Sequence, residues 1–407
     1  MKNRKILISG ASIAGPALAF WLGRYGFETT VVERAPSLRE GGFAVDFRGE
    51  AHMSVLGRMG ILEEVRRQQT NMGEQVVVDD TGKRLVSLPA HVMSGEVEIR
   101  RGDLSHVLYG VTSDDTEYIF GDSIVSIAEG EEGVHVMFEG GEEREFDLVV
   151  GADGLHSNVR RIAFGEESRF LRFLGYYFAG FDAPNYLALD HAGLLYNVPG
   201  KLAQISSARD NSEAMAGFAF ASRPLDYDHR DLRQQKQIVA EAYAGVGWEV
   251  PSLIEAMWEA PEMYFDSLSR IDMDRYSTGR VVLLGDACYG VTLGGLGTGL
   301  AMVGAYVLAG ELASAGGEHR VAFARYEEQM RHYAEGCQKL GEGAGPFLAP
   351  PTPAAIRRRN RAFRILSFRP LAGIFNRMTT KAANAITPKD YRDIRADRGQ
   401  LLEGADA

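Results

Sequence analysis

Three stretches of this chain set glycines beside an acid in a way that suits a diphosphate-bearing ligand. The first is Gly10-Ala11-Ser12-Ile13-Ala14-Gly15, which follows the apolar run Lys5 to Ser9. A second apolar run, Thr29 to Val32, closes in Glu33. Read in order this is strand, turn, helix, strand, carboxylate. Gly10 permits the tight turn and Gly15 lets the helix pack close to the strand. The free N–H groups of Ser12, Ile13 and Ala14 at the helix start face a pyrophosphate. Glu33 is placed to accept hydrogen bonds from adenosine ribose hydroxyls. Ser12 stands where the G-x-G-x-x-G pattern has its middle glycine. Its side chain crowds the phosphate, and its hydroxyl can donate to it. Taken alone, this motif also fits a βαβ unit that holds no nucleotide.

The second stretch runs from Asp147 to Arg160, where an apolar strand ends in Gly151-Ala152-Asp153-Gly154 and a short helix follows. The third is Gly279 to Cys288, an apolar strand ending in Gly285-Asp286. Gly290, Gly294, Gly295, Gly297 and Gly299 come next, then a long apolar helix through Leu312.

The elements that must position these turns follow from periodicity. A helix is expected from about Glu50 to Gln69, with a stripe of Met53, Leu56, Met59, Ile61 and Leu62. Val76 to Asp79 and Arg84 to Leu88 flank the hairpin turn Asp80-Thr81-Gly82-Lys83. The segment Glu98 to Leu104 reads as the opening of another helix, with Asp103 favourable in its first turn. Tyr118 to Phe120, Ser123 to Ala128, Val134 to Glu139 and Glu142 to Phe146 read as an antiparallel meander. Phe170 to Phe220 is strand-rich and aromatic, and Gln234 to Tyr243 and Ser252 to Ala260 read as helices. A proline-rich link after Pro346 leads to an arginine-rich tail whose Ile356, Phe363, Ile365, Leu366, Leu371, Ile374 and Phe375 suggest amphipathic helix.

With 407 residues, 45% of them hydrophobic, the chain can build a large core and exceeds one ordinary domain. A net charge of −11 argues against nucleic acid as a partner. Two cysteines, Cys288 and Cys337, give no disulfide framework and fit a cytoplasmic protein. No apolar run is long enough for a membrane span, and the first strand leaves no room for a signal peptide. His135 and His156 show no metal-ligand spacing, so no metal is expected. A monomer or weak dimer is expected.

The three glycine–acid turns, each at a strand end and in this order, resemble those of the FAD-dependent aromatic hydroxylases, the class A flavoprotein monooxygenases of the para-hydroxybenzoate hydroxylase-like family. The resemblance covers roughly Lys5 to Gly341. The run Glu98-Ile99-Arg100-Arg101-Gly102-Asp103-Leu104 is similar to its counterpart in the tetracycline-inactivating flavin monooxygenases. It implies an α/β fold: a Rossmann-like FAD-binding domain, an interleaved antiparallel-sheet substrate domain and a C-terminal bridging helix. The expected boundaries are 1–72, 97–168 and 266–348 for the first, 73–96 and 169–265 for the second, and 349–407 for the tail.

By that resemblance Gly10, Gly15 and Glu33 hold FAD, Arg34 lies over the adenine, and Asp46 and Arg101 touch the sugar-phosphate arm. Asp153 and Gly154 form the motif associated with FAD and NADPH. Asp286, after Gly285, accepts from ribityl hydroxyls, and Gly295, Gly297 and Thr298 bring N–H groups to the isoalloxazine. Gly297 is expected both to avoid the flavin edge and to hold angles barred to other residues. The family's proline after the Gly-Asp motif is missing here.

The implied activity is oxygen insertion from O2 into an aromatic or polycyclic, polyketide-like small molecule. NADPH or NADH would reduce the flavin, and a flavin C4a-hydroperoxide would deliver the oxygen. Tyr177, Phe178, Tyr196, Phe218 and Phe220 are the candidate substrate contacts, although any one of them also fits ordinary sheet core. Two other readings remain at this point: a reductase or dehydrogenase of the same fold that makes no use of O2, and a flavin-binding protein without turnover.

Overall fold

A computed structural model describes residues 2–88, 95–208, 211–293, 296–366, 380–392 and 394. Its centre is a six-stranded sheet with the order Ser277–Thr278, Val281–Leu283, Leu148–Gly151, Lys5–Ser9, Glu28–Glu33, Glu117–Phe120. All neighbours run parallel except the first pair. Parallel strands buried on both faces read as continuous apolar runs, which is why Ile6, Leu7 and Ile8 are all fully buried. One core wraps this sheet with the helices Ala14–Arg24, Gly297–Ser314 and His319–Gly341. The helix Gly297–Ser314 is apolar all round, the pattern of a helix buried on every side.

The second sheet has seven strands, from the edge Tyr264–Ile271 through Leu171–Pro184, Glu213–Ala221, Lys201–Ala208, Gly193–Val198 and Gln75–Val78 to Arg84–Leu88. It is antiparallel apart from Gly193–Val198 against Gln75–Val78. The expected boundary at residue 266 falls inside its edge strand. The helices Leu232–Ala242 and Val250–Glu259 cover one face. The helix Pro353–Leu366 lies on the other, where Phe363 packs against the sheet. Beyond it, Ala383 and Tyr391 join the core of the first sheet, so the tail touches both sheets. Leu371, Ile374 and Phe375 lie outside the described residues, as does the expected contact at Gly295.

Three local expectations are corrected. The helix expected over Glu50 to Gln69 is two, Gly49–Met59 and Leu62–Arg67, because Gly60 takes a left-handed conformation (φ 77°) that ends the first. The segment Glu98 to Leu104 is first a strand, Val97–Arg100, paired with Ala44–Phe47, and the helix begins only at Arg101. Glu117–Phe120 leaves the meander to pair with Glu28–Glu33 in the parallel sheet. The other three strands form the meander as an antiparallel sheet.

Candidate functional site

The three glycine–acid turns stand at neighbouring strands, Lys5–Ser9, Leu148–Gly151 and Val281–Leu283, and all leave at the same end of the sheet. Gly10 (φ 107°) lies so close to the second turn that a Cβ on it would sit 2.5 Å from the Ala152 carbonyl oxygen. A Cβ on Gly15 would collide with the Gly10 carbonyl. Ala14 begins the first helix and Ile13 precedes it without a side-chain cap, so the first helical N–H groups have no intrahelical acceptor. Glu33 accepts from the N–H of Ala11 and of Ala35, both at 2.9 Å, and so braces this turn from the next strand. Arg34 is exposed beside it.

Asp153 is tied up locally. Its carboxylate accepts from the Ser157 hydroxyl at 2.5 Å, the Val159 N–H at 3.0 Å and the Ser9 hydroxyl at 3.4 Å. It therefore caps the helix Asn158–Phe164 and pins it to the first strand. Burial pushes the Asp153 carboxyl up from its ordinary range, and these donors oppose the shift. Gly154 takes the left-handed turn (φ 85°). Arg160, fully buried, joins two motifs: it donates to the Leu155 carbonyl at 2.7 Å and the Ala287 carbonyl at 2.9 Å, and pairs with Glu167 at 3.0 Å.

Asp286 follows Gly285, which holds φ 67° and ψ −140°, a region essentially closed to other residues. The Asp286 side chain is accessible to solvent although it is set deep among protein atoms, the condition of a group lining an internal recess. Burial raises its pKa, Arg101 opposes the shift, and Asp266 adds to it. A Cβ on Gly297 would lie 3.7 Å from an Asp286 carboxylate oxygen, so the start of the helix Gly297–Ser314, with Thr298 half-buried on its first turn, adjoins this acid. Gly297 has an ordinary helical conformation, which removes the expected conformational reason for it. Arg101 in turn donates to the Ser12 hydroxyl at 3.0 and 3.2 Å. Ser12, Arg101, Asp286 and Gly297 thus converge from four separate segments. Asp46 is held apart, in a buried pair with Arg48 at 2.6 Å. A cleft of about 700 Å³ lined by Arg275, Thr278, Arg320 and Arg331 lies at the far edge of the sheet, and none of the three turns lines it.

The aromatics divide between faces. Tyr177, Tyr196, Phe218 and Phe220 are buried in the core beneath the helices Leu232–Ala242 and Val250–Glu259. The Tyr177 hydroxyl accepts from the Leu225 N–H at 2.9 Å. Phe178 lies on the opposite face, with Phe43 (4.7 Å between ring centroids), which also meets Tyr264 (5.7 Å). Phe43 seats over Gly180, where any Cβ would strike its ring. Alternation along the strand separates Tyr177 from Phe178.

The chain matches the FAD binding domain family over residues 3–338. It belongs to that family. A flavin-dependent monooxygenase from an unknown prokaryotic organism is 42% identical over 346 residues, covering 83% of this chain and 89% of that protein. The flavin-dependent monooxygenase of Legionella longbeachae serogroup 1 (strain NSW150) is 39% identical over 345 residues, covering 84% and 88%. The crystal structure of tetracycline destructase Tet(55) superposes with a TM-score of 0.82 at 38% identity, over 96% of this chain and all of that one. The flavoprotein is a flavin-dependent monooxygenase, and FAD is its cofactor. Its residues fit that group: the Gly10–Gly15 cradle has no room for a Cβ, and Asp286 faces an open recess.

Phe43, Arg160 and the His156–Asp266 contact escaped the sequence reading. Gly41-Gly42 before Phe43 was the visible signal for the first. Arg160, seven residues after Asp153, lacked any spacing rule, and Asp266 is 110 positions from His156.

Proposed function

We propose that this monooxygenase takes electrons from NADPH or NADH and uses O2 to insert one oxygen atom into a flat aromatic or polycyclic small molecule. One observation carries the reading: Ser12, Arg101, Asp286 and the start of the helix Gly297–Ser314 meet at one recess. When bound there, FAD supplies the redox chemistry. The chain's own residues do the rest. Gly10, Ser12, Ile13, Ala14 and Gly15 receive the pyrophosphate, and Glu33 and Arg34 receive the adenosine end. Arg101 brings a positive charge between Ser12 and Asp286. Gly285 turns the chain so that Asp286 can accept from hydroxyls, and Asp153 and Gly154 shape the neighbouring turn. Gly297 and Thr298 present the helix start, which offers about half an elementary positive charge to an anion held against it.

The substrate wall in this reading is Phe43, Phe178 and Tyr264, on the sheet face away from the two covering helices. Burial, then Asp266, pushes the Tyr264 phenol above its ordinary range, so it stays neutral and can donate. Such a wall stacks on a planar ring system and keeps water out. Tetracycline is the first substrate to try, because tetracycline destructase Tet(55) is similar over 96% of this chain. The domain boundaries given above, a cytoplasmic setting and a monomeric or weakly dimeric state belong to the same reading. Separate cores for the two sheets support a division into two domains, and two unpaired buried cysteines support the setting. Among the described residues no helix is long and apolar enough to cross a membrane.

The test measures NADPH oxidation by the flavin-loaded protein with and without O2, over a panel of aromatic polyketides and phenols. A product heavier by one oxygen, labelled when the gas is ¹⁸O2, is expected. Substrate reduction with no oxygen gained would favour a reductase instead.

A further inference from the structure

The geometry points to a divalent-cation site formed by His156, His229 and Asp266, outside the residues assigned to the flavin and independent of that assignment. One ring nitrogen from each histidine and a carboxylate oxygen of Asp266 all lie within 4.8 Å of one another. Two imidazoles and a carboxylate with a fourth position open to water form a ligand set for zinc and its first-row neighbours.

The surroundings fit that use. The Nε2 atom of His156 faces Asp266 at 3.0 Å, while its Nδ1 faces Glu167 at 3.0 Å. A carboxylate on the far nitrogen of a histidine is the usual outer support of a metal ligand, fixing the ring and its tautomer. Arg160 holds Glu167 in place. The loop carrying His229 is fastened by the Leu225 N–H on the Tyr177 hydroxyl. The Tyr227 ring packs against that of His229, tilted by 39° with 4.5 Å between centroids. Both histidines are exposed, so an ion can enter.

Binding is an exchange. The cation takes the Nε2 lone pair of His156, and the proton that this nitrogen donates to Asp266 leaves to solvent. His229 and Asp266 complete the protein ligands. The ion would join three segments: the turn after Gly154, the edge strand Tyr264–Ile271, and the loop before the helix Leu232–Ala242.

The test uses flavin-loaded protein freed of metal with a chelator. Zinc is titrated by calorimetry and cobalt by visible absorption. One saturable equivalent of zinc and the intense bands of tetrahedral cobalt are expected. His229→Ala should weaken zinc binding at least about tenfold, and Asp266→Asn should do the same. His135→Ala, on the separate three-stranded sheet, should leave it unchanged. The flavin spectrum of each variant reports cofactor binding separately. Absence of saturable zinc binding, or equal affinity in the parent and His229→Ala, overturns the site. Should Asp266→Asn fail to fold, His229→Ala still decides, because its side chain is exposed and packs by its ring on those of His156 and Tyr227.

Discussion

Gly15 and Gly297 owe their identity to different causes, and substitution separates them. A side chain at Gly15 meets the Gly10 carbonyl in the folded chain itself. Gly15→Ala should therefore lower stability by about 1–3 kcal/mol, the usual range for overpacking, with or without flavin. Gly297 has a helical backbone and room for a Cβ beside Asp286. Gly297→Val should leave the flavin-free protein within about 1 kcal/mol of the parent, since only helix propensity changes, while abolishing FAD retention. Urea unfolding of flavin-free protein and FAD binding by fluorescence check both. If Gly297→Val reduces and reoxidises flavin at the parent rate, the cofactor lies elsewhere. Glu33→Ala removes the acceptor of two backbone donors and should weaken FAD binding by about 1–3 kcal/mol.

At the scale of elements, the turn after Gly154 is joined to the edge strand by a charged ring. Burial works against the charge on His156, but Asp266 and Glu167 outweigh it and raise the pKa to about 10. A histidine raised above its unfolded value of about 6.5 lends stability that is full below that pH. The contribution is lost as pH rises through about 10. In chelator-treated protein the urea midpoint should thus fall between pH 7 and 10, and His156→Gln should flatten part of that fall. Equal slopes in the two proteins would show the contact to be idle. The strand Leu148–Gly151 and the turn before His156 were legible, because buried parallel strands announce themselves as apolar runs ending in glycine; the antiparallel edge strand Tyr264–Ile271 that carries Asp266 was not read. The contact itself was not: it is made by side chains from the far sheet, and no local periodicity encodes a meeting across 110 positions. The aromatic reading failed to separate faces for a related reason. Tyr177 and Phe178 are neighbours in sequence, and only the packed helices show which side of the strand is sealed. Gly60 was visible as a helix breaker, and the stripe beyond it disguised the break.

Over the whole molecule the tail does electrostatic work as well as covering apolar surface. Glu311, in the last turn of the helix Gly297–Ser314, is 1% exposed. It accepts from Lys389 at 2.7 Å, Tyr391 at 2.8 Å and Gln329 at 2.7 Å. These bonds outweigh burial and hold its carboxyl below the ordinary range. A chain shortened after Leu348 keeps the buried acid with Gln329 and, at 3.8 Å, Arg325, and loses Lys389 and Tyr391. It should lose roughly 3–5 kcal/mol, the range for breaking a buried pair, and aggregate through the uncovered sheet. Glu311→Gln in the shortened chain should recover part of that loss, as read by chemical denaturation. A shortened chain as stable as the parent would remove the tail from this role. The same carboxylate also bears on timing during synthesis. Tyr391 follows Glu311 by 80 positions. At about 5–20 residues per second the ribosome takes on the order of 4–16 s to deliver it. Throughout that interval the buried acid has only Gln329 and, at 3.8 Å, Arg325 of the next helix for partners. Ribosome-bound chains are therefore expected to turn from protease-sensitive to resistant only once Lys389 and Tyr391 have emerged.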